Sequence, residues 1–261
     1  MAEPVSALRS FRSRLLGGET LFGTMLTLPL PTVAEILSDV GFDWLFVDGE
    51  HGPFETRDLL AIMQTVGDRT PCLVRVPAVE ETPIKRALDL GAAGIIVPQV
   101  NTTEQAAEVV RYSRYAPAGS RGVGIARAHG YGLRFGGYVA DANALVSVVV
   151  QAEHIRAVEN IEKIVQVEGV DAVLVGPYDL SASLGRMGEV DHPQVVEAIE
   201  RVTEVCRSAG IPLGIFGTSV AAVQPYAAKG YTLLVAGVDT LLLGLGAKAL
   251  RAEFGENASA S

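Results

Sequence analysis

The chain has 261 residues, of which 49% are hydrophobic and 20% charged, so it can bury the core of one large α/β domain or two small ones. A formal net charge of −9 and the lack of a basic stripe argue against a nucleic acid as partner. Two cysteines, Cys72 and Cys206, do not make a disulfide framework. We expect both to be buried, reduced thiols.

We expect neither a signal peptide nor a membrane span in this sequence. Residues 1–16 contain scattered arginines but no continuous apolar segment of the kind found in signal peptides. No run approaches the ~18 to 20 apolar residues of a membrane span. We therefore expect a cytoplasmic protein with no membrane partner, ending in a small, polar, disordered tail over 255–261.

Short apolar runs alternate with helical patterns along most of the chain. The runs predict strands over Leu21–Leu26, Trp44–Val47, Cys72–Val76, Gly94–Val97, Ser147–Gln151, Ala172–Val175, Leu213–Phe216 and Leu233–Ala236. The patterns between them predict helices over Thr32–Val40, Arg57–Val66, Pro83–Leu90, Thr103–Tyr115, Ile155–Gln166, Pro193–Ala209, Ser219–Lys229 and Thr240–Phe254.

The strand sequences indicate the fold class. They are nearly continuous apolar runs, which is typical of parallel strands covered on both faces. Eight such strand–helix units predict an α/β protein with a single (β/α)₈ TIM barrel over residues 1–254. The alternative is an open doubly wound sheet, but no Gly-x-Gly-x-x-Gly follows the first strand. Glycines that close helices just before the next strand support the barrel: Gly41, Gly91, Gly169, Gly210 and Gly230.

One segment does not fit this alternation. Residues 116–144 are rich in Gly, Ala and Arg, show little periodicity, and are too long for an ordinary connection. We call this segment the excursion, and we expect it to serve function or contacts between subunits.

Polar side chains stand at the carboxyl ends of five of the predicted strands. Active sites of (β/α)₈ barrels lie at the carboxyl ends of the strands, so these side chains are expected to share one rim. Five polar strand ends in succession are hard to explain by stability alone. They are Asp48-Gly-Glu-His51, Arg75-Val-Pro, Pro98-Gln99, Gln151-Ala-Glu153-His154 and Gly176-Pro-Tyr-Asp179.

Glu153 and Asp179 are candidate metal ligands. Two carboxylates from neighbouring strands, without a cysteine or a closely spaced histidine pair, suit a hard cation such as Mg²⁺ or Mn²⁺. The alternative is that each carboxylate caps a helix or forms an ion pair, and this is about as plausible for Asp179 taken alone. Gly176 would let the backbone approach a ligand closely.

Arg75, His51 and Asp48 are the candidate catalytic residues. The Arg75 guanidinium could stabilise negative charge on a substrate oxygen, although a salt bridge closing the barrel is an equally good interpretation. His51 is the best candidate for a general base, and Asp48 could orient it. Glu50 has no firm role. The four lysines all lie in predicted helices, so a Schiff-base mechanism is not expected.

These residues belong to motifs that resemble one known family over almost the whole chain. The sequence is similar to the metal-dependent (class II) pyruvate aldolases, which include 4-hydroxy-2-oxoheptanedioate aldolase and 2-keto-3-deoxy-rhamnonate aldolase. The motifs, in chain order, are Asp48-Gly-Glu-His51-Gly, Arg75-Val-Pro, Gly91-Ala-Ala-Gly94-Ile-Ile-Val-Pro-Gln99-Val, Gly119-Ser-Arg-Gly122, Gln151-Ala-Glu153 and Gly176-Pro-Tyr-Asp179-Leu-Ser.

The resemblance implies a metal-dependent, reversible cleavage of 4-hydroxy-2-keto acids to pyruvate, or hydroxypyruvate, and an aldehyde. It implies Mg²⁺, Mn²⁺ or Co²⁺ on Glu153 and Asp179, with pyruvate chelating the ion. It implies that Arg75 contacts the keto oxygen and that His51 transfers protons. The remaining implied positions are Gln151, Gly176, Tyr178 and Asp179 at the substrate carboxylate, Phe216 as an apolar contact, and Asp89 as an acidic residue outside the direct contacts that reaches a neighbouring site.

The resemblance also implies an assembly, a hexamer built as a trimer of dimers that exchange the last helix, Thr240–Phe254. We further expect the part of the excursion over residues 121–134 to select the aldehyde at the barrel mouth, with a neighbouring subunit. Two other functions remain open: a lyase for acyl-CoA esters on the same barrel, and a barrel that binds keto acids without catalysis.

Overall fold

A computed structural model describes residues 7–259, with side chains described for 11–254. The fold is a closed barrel of eight parallel strands in sequence order, which confirms the predicted (β/α)₈ class. The strands are β1 Leu21–Leu26, β2 Trp44–Asp48, β3 Cys72–Arg75, β4 Gly94–Val97, β5 Ser147–Ala152, β6 Ala172–Val175, β7 Leu213–Gly217 and β8 Leu233–Val238.

Helices alternate with these strands and cover the barrel. They are α1 Ala7–Leu16, α2 Pro31–Val40, α3 Thr56–Val66, α4 Glu81–Asp89, α5 Thr103–Ser113, α6 Phe135–Leu145, α7 Ile155–Glu159, α8 Ile161–Ile164, α9 Pro177–Ser183, α10 Pro193–Ala209, α11 Val220–Ala227 and α12 Asp239–Ser259. Within the described residues, no helix combines the length and apolar character needed to cross a membrane. The predicted polar tail is helical through Ser259, and residues 260–261 lie outside the described part.

The core has two layers. The outer layer lies between the strands and the surrounding helices and holds residues such as Leu45, Val74 and Ile95. The inner layer fills the barrel with Trp44, Phe46 and other alternate strand residues. Both faces of every strand are therefore apolar, which is why the strand sequences run without alternation.

Helix α1 closes the amino-terminal end of the barrel and was not among the predicted helices. Its Phe11 and Leu15 are fully buried in the inner layer, and Phe11 lies 6.0 Å from the Trp44 ring. Arg12 binds Asp171 at the start of β6 through two hydrogen bonds of 2.7 and 3.1 Å. The spacing of Leu8, Phe11 and Leu15 is a helical signal, but this segment precedes the first strand and lies outside the strand–helix alternation.

The excursion lies at the amino-terminal end of the barrel, on the side of its own subunit opposite the barrel mouth. The Arg127 guanidinium donates to the Leu90 carbonyl at 3.0 Å and to the Met63 carbonyl at 2.6 Å. These carbonyls lie at the carboxyl ends of α4 and α3, which run antiparallel to the strands. The expectation that residues 121–134 face the barrel mouth of their own subunit is therefore wrong.

Two further differences concern helix boundaries. The predicted helix Ile155–Gln166 is broken at Asn160, whose amide donates to the carbonyls of Asn101 and Arg156, each at 2.9 Å. A side chain that bonds to nearby backbone competes with the helical pattern in this way. The excursion also contains α6, whose Ala- and Gly-rich sequence gave little periodicity.

The two cysteines lie buried in the outer layer, as the sequence predicted. Burial raises the pKa of the Cys72 thiol and of the Cys206 thiol to about 12 in each case. We expect neither thiol to react with Ellman's reagent in the native protein near pH ~8, because the reactive thiolate is almost absent there. Both should react once guanidinium chloride unfolds the chain, and stoichiometric labelling of the native protein would contradict the assignment.

Candidate active site

The first part of the site is an ion-pair cluster at the ends of β2 and β3. Asp48 and Arg75 are paired in register across these strands. One Asp48 carboxylate oxygen, Oδ1, accepts from Arg75 Nε and lies near Nη2, both at 2.8 Å. The side chains are only 3% and 9% exposed, and the Arg75 guanidinium lies 5.3 Å from the centre of the Phe46 ring. Burial of both charges is tolerated because each has a close partner.

Glu50 links Arg75 to His51. Its Oε2 lies 3.2 Å from Arg75 Nη1 and 3.8 Å from His51 Nε2. Burial raises the pKa of the Glu50 carboxyl, while Arg75 and then His51 act in the opposite direction. The His51 side chain is 72% exposed, so its imidazole is open to a substrate and to water.

This geometry corrects one expected contact. Asp48 accepts the backbone N–H groups of Glu50 and His51 at 3.2 and 3.3 Å, and its carboxylate binds Arg75. The acidic neighbour of the His51 ring is Glu50, so Asp48 does not orient the imidazole directly. The sequence did not show which acid meets the imidazole, because Gly49, Glu50 and His51 form a turn after β2 and not an extended segment.

The second part of the site surrounds Glu153, just after β5. Its Oε1 accepts the backbone N–H of Gln99 at 2.8 Å, and its Oε2 accepts from Gln151 Nε2 at 2.7 Å. Burial raises the pKa of Glu153 to about 7. The hydrogen bond from the Gln99 N–H lowers this pKa, and the negative charge of Asp179 raises it.

Gly176 forms one wall of this part. A methyl group on Gly176 would lie 2.9 Å from Glu153 Cβ and 3.0 Å from Oε2. Any larger residue at this position would clash with the Glu153 side chain. Glycine lets the backbone lie close to the carboxylate. Asp179 follows in the first turn of α9 and is exposed at the rim.

The donor set around Glu153 suits a hard cation. The two carboxylates supply negative charge, and Gln151 Oε1 is a buried acceptor without a hydrogen-bond partner. Within the described residues, no three side chains of His, Cys, Asp or Glu converge as a complete ligand set. An ion held by Glu153 and Asp179 would keep positions open for other oxygens, as Mg²⁺ sites commonly do.

The other predicted site residues lie in different places. Tyr178 is at the rim and 55% exposed, and Phe216 in β7 packs against the inner layer. Asp89 ends α4 at the amino-terminal end of the barrel, where its Oδ1 binds Arg121 Nη2 at 2.7 Å. Asp89 is therefore not part of the rim of its own subunit.

Acidic and basic side chains cluster at the carboxyl rim of the (β/α)₈ barrel, where enzymes of this fold have their active sites. The fold and the site therefore place this protein in the class of (β/α)₈ barrel enzymes. The chain belongs to the HpcH/HpaI aldolase/citrate lyase family, whose sequence profile matches residues 22–244. This confirms the family resemblance seen in the motifs.

Similar proteins extend over nearly the full length. A protein of Rhodococcus jostii named 4-hydroxy-2-oxovalerate aldolase is 43% identical over 253 residues, covering 96% of this chain and 98% of that protein. A hydroxypyruvate/pyruvate aldolase of Roseobacter denitrificans is 40% identical, covering 90% and 93%. The crystal structure of a family member from Burkholderia cenocepacia superposes with a TM-score of 0.89 at 39% identity, covering 94% of this chain and 98% of that one.

The buried ion pair gives a stability prediction. We expect Asp48→Asn to destabilise the fold by about 3 kcal/mol, because it leaves the Arg75 charge buried with only Glu50 beside it. Glu50→Gln should cost clearly less, since the Glu50 side chain is 21% exposed and water can replace it. Guanidinium denaturation of the two variants and the wild type measures the difference, and equal costs would contradict the ranking.

Proposed function

We propose that this protein is a carbon–carbon lyase that reversibly cleaves 4-hydroxy-2-keto acids to pyruvate, or hydroxypyruvate, and an aldehyde. The observation that carries the proposal is that a buried guanidinium, Arg75, and the carboxylates of Glu153 and Asp179 lie at the same barrel rim. Aldol cleavage places negative charge on a keto oxygen, and this rim offers positive charge for it.

We propose that a divalent cation, Mg²⁺, Mn²⁺ or Co²⁺, is held by Glu153 and Asp179. When bound, such an ion polarises the 2-keto oxygen of the substrate as a Lewis acid. In this proposal, the Gln151 side chain and the backbone at Gly176, Tyr178 and Asp179 hold the substrate carboxylate. Phe216 offers an apolar contact from the inner layer.

Arg75 and His51 divide the chemical work in this proposal. His51 takes the proton of the C4 hydroxyl, the C3–C4 bond breaks, and its electron pair passes into the enolate of pyruvate. Arg75 stabilises the enolate oxygen, because Asp48 and Glu50 hold its guanidinium in one place. A proton returned to C3 then releases pyruvate. Glu50 lies beside both residues and stabilises the imidazolium that forms.

Asp89 and the excursion enter the proposal through a neighbouring subunit. Both lie at the amino-terminal end of their own barrel, where they cannot reach their own rim. The excursion exposes large apolar side chains, among them Ile125 at 71% and Leu133 at 92%. We propose that this surface covers another subunit's barrel mouth and takes part in choosing the aldehyde.

The last helix supports an exchange of α12 between subunits. Residues 240–254 of α12 are all exposed, although Leu243, Leu250 and Phe254 are large and apolar. Asp239 fixes the start of the helix by accepting from the Thr27 hydroxyl at 2.6 Å and from the Leu28 N–H at 2.8 Å. An apolar helix held at its start and uncovered beyond it needs a partner surface. We propose a hexamer in which two subunits of each dimer exchange α12.

Catalysis is tested by variants at the two centres. We expect Arg75→Ala and Glu153→Ala to abolish pyruvate release from a 4-hydroxy-2-keto acid, a loss of at least ~100-fold, because each removes charge stabilisation from the transition state. Lactate dehydrogenase coupling measures the pyruvate. EDTA should stop the wild-type reaction and added Mn²⁺ restore it. Near-normal turnover in either variant would refute the assignment.

A parallel assay separates the alternatives. Cleavage of a malyl-type CoA ester with no cleavage of the keto acid would favour the CoA-ester lyase. Binding of pyruvate without turnover of any aldol substrate would favour a barrel without catalysis. Arg207→Gln, a change in the last turn of α10 away from the rim, serves as a control that should keep full activity.

The assembly is tested by charge on α12. We expect Leu243→Glu combined with Leu250→Glu to break a hexamer into smaller species, because the two residues share one face of the helix and the new charges would be buried. Lys248→Glu in the same helix is the matched control and should leave the mass unchanged. Light scattering after size exclusion measures the mass, and a wild-type monomer of 27.5 kDa would contradict the proposal.

A further inference from the structure

We propose that Gln99 is a positioning residue of this site, whose left-handed backbone conformation aims its N–H at the Glu153 carboxylate. The inference rests on the proposed function, in which Glu153 holds a divalent cation. It concerns the backbone of Gln99 rather than its side chain, and it explains why a strained residue follows β4.

The backbone conformation at Gln99 is unusual. Its φ is 54°, and within residues 7–259 Tyr131 is the other residue besides glycine with a positive φ. Side chains crowd the backbone in this region, so a residue other than glycine is strained there. Such strain persists where the surrounding structure enforces it, and it is frequent at functional sites.

The strained backbone at Gln99 supplies the second of two hydrogen bonds to the Glu153 carboxylate. The Gln99 N–H binds Oε1 at 2.8 Å, while Gln151 Nε2 binds Oε2 at 2.7 Å. Gly176 closes another side, since its backbone leaves no room for a Cβ. Each oxygen thus uses one lone pair for a protein donor and keeps the other for a ligand. The carboxylate is thereby oriented before an ion arrives, which reduces the cost of binding.

The residues after Gln99 hold its backbone in the conformation with positive φ. The next residue, Val100, is buried in the outer layer. The Asn101 N–H donates to the Gln105 side chain at 2.7 Å, and the Asn101 carbonyl accepts from Asn160 Nδ2 at 2.9 Å. Gln99 therefore cannot relax to a right-handed conformation without displacing Val100 or breaking these bonds.

The Gln99 side chain contributes little to this arrangement. It is exposed, and its Oε1 accepts a long hydrogen bond of 3.4 Å from Asn101 Nδ2. The backbone conformation is therefore the property that a substitution must preserve. Glycine and asparagine adopt positive φ readily, whereas a β-branched valine resists it most.

The experiment compares Gln99→Gly, Gln99→Asn, Gln99→Ala and Gln99→Val by isothermal titration with Mn²⁺. We expect the Gly and Asn variants to bind within about threefold of the wild type, because both keep the N–H in place. The Val variant should bind about 10- to 100-fold more weakly, the loss expected for a hydrogen bond to a charged group. The Ala variant should lie between them, and it replaces Val if that variant does not fold. Circular dichroism in EDTA checks folding.

The outcomes separate this inference from the proposed function. If the Val and Ala variants are folded and bind Mn²⁺ like the wild type, the proposed role of the Gln99 backbone conformation is refuted. A Gly variant as weak as the Val variant would overturn it too, since the side chain would then be the part that matters. A wild-type protein that binds no Mn²⁺ would instead refute the metal site, and this inference with it.

Discussion

The buried pair between Asp48 and Arg75 is the interaction on which the rest of the site depends. A guanidinium at the end of a strand in a closed barrel is surrounded by apolar residues, and it is tolerated there only with a close carboxylate. The register of β2 against β3 supplies that carboxylate from the neighbouring strand. Glu50, two residues after the end of β2, contacts the same guanidinium. The Arg75 side chain therefore holds both carboxylates in position and, through Glu50, the imidazole of His51.

The two ends of the barrel have different physical tasks. The amino-terminal end is closed by α1 and by a network in which Asp171 receives Arg12 and Arg114. Asp171 and Arg114 are buried in this network, the Arg12 side chain is 22% exposed, and the network serves stability. At the carboxyl end, carboxylates repel each other and the pKa of Glu153 is raised. The backbone of Gln99 at this end is strained by its positive φ. Strain and unfavourable charge collect where a ligand would relieve them, as is usual for this fold.

Much of the fold was predictable because its signals are local. Eight apolar runs marked the strands, and the glycines with positive φ marked helix ends, among them Gly41 and Gly210. The predicted rim residues were found by the rule that strand ends converge, which needs only the order of elements. Helix α1 escaped because it precedes the first strand and so stands outside the alternation of strands and helices, and α6 escaped because its many small residues give little periodicity.

The sequence by itself determined the barrel, the family and which charged residues stand at strand ends, since each follows from residue type and spacing along the chain. Only the tertiary structure decided which of these residues touch. In the folded protein Asp48 binds Arg75, and Glu50 lies beside His51. Asp89 and the excursion lie at the opposite end of the barrel, and Gln99 has a positive φ. Contacts between distant segments depend on register, helix direction and burial, which no local pattern of residues records.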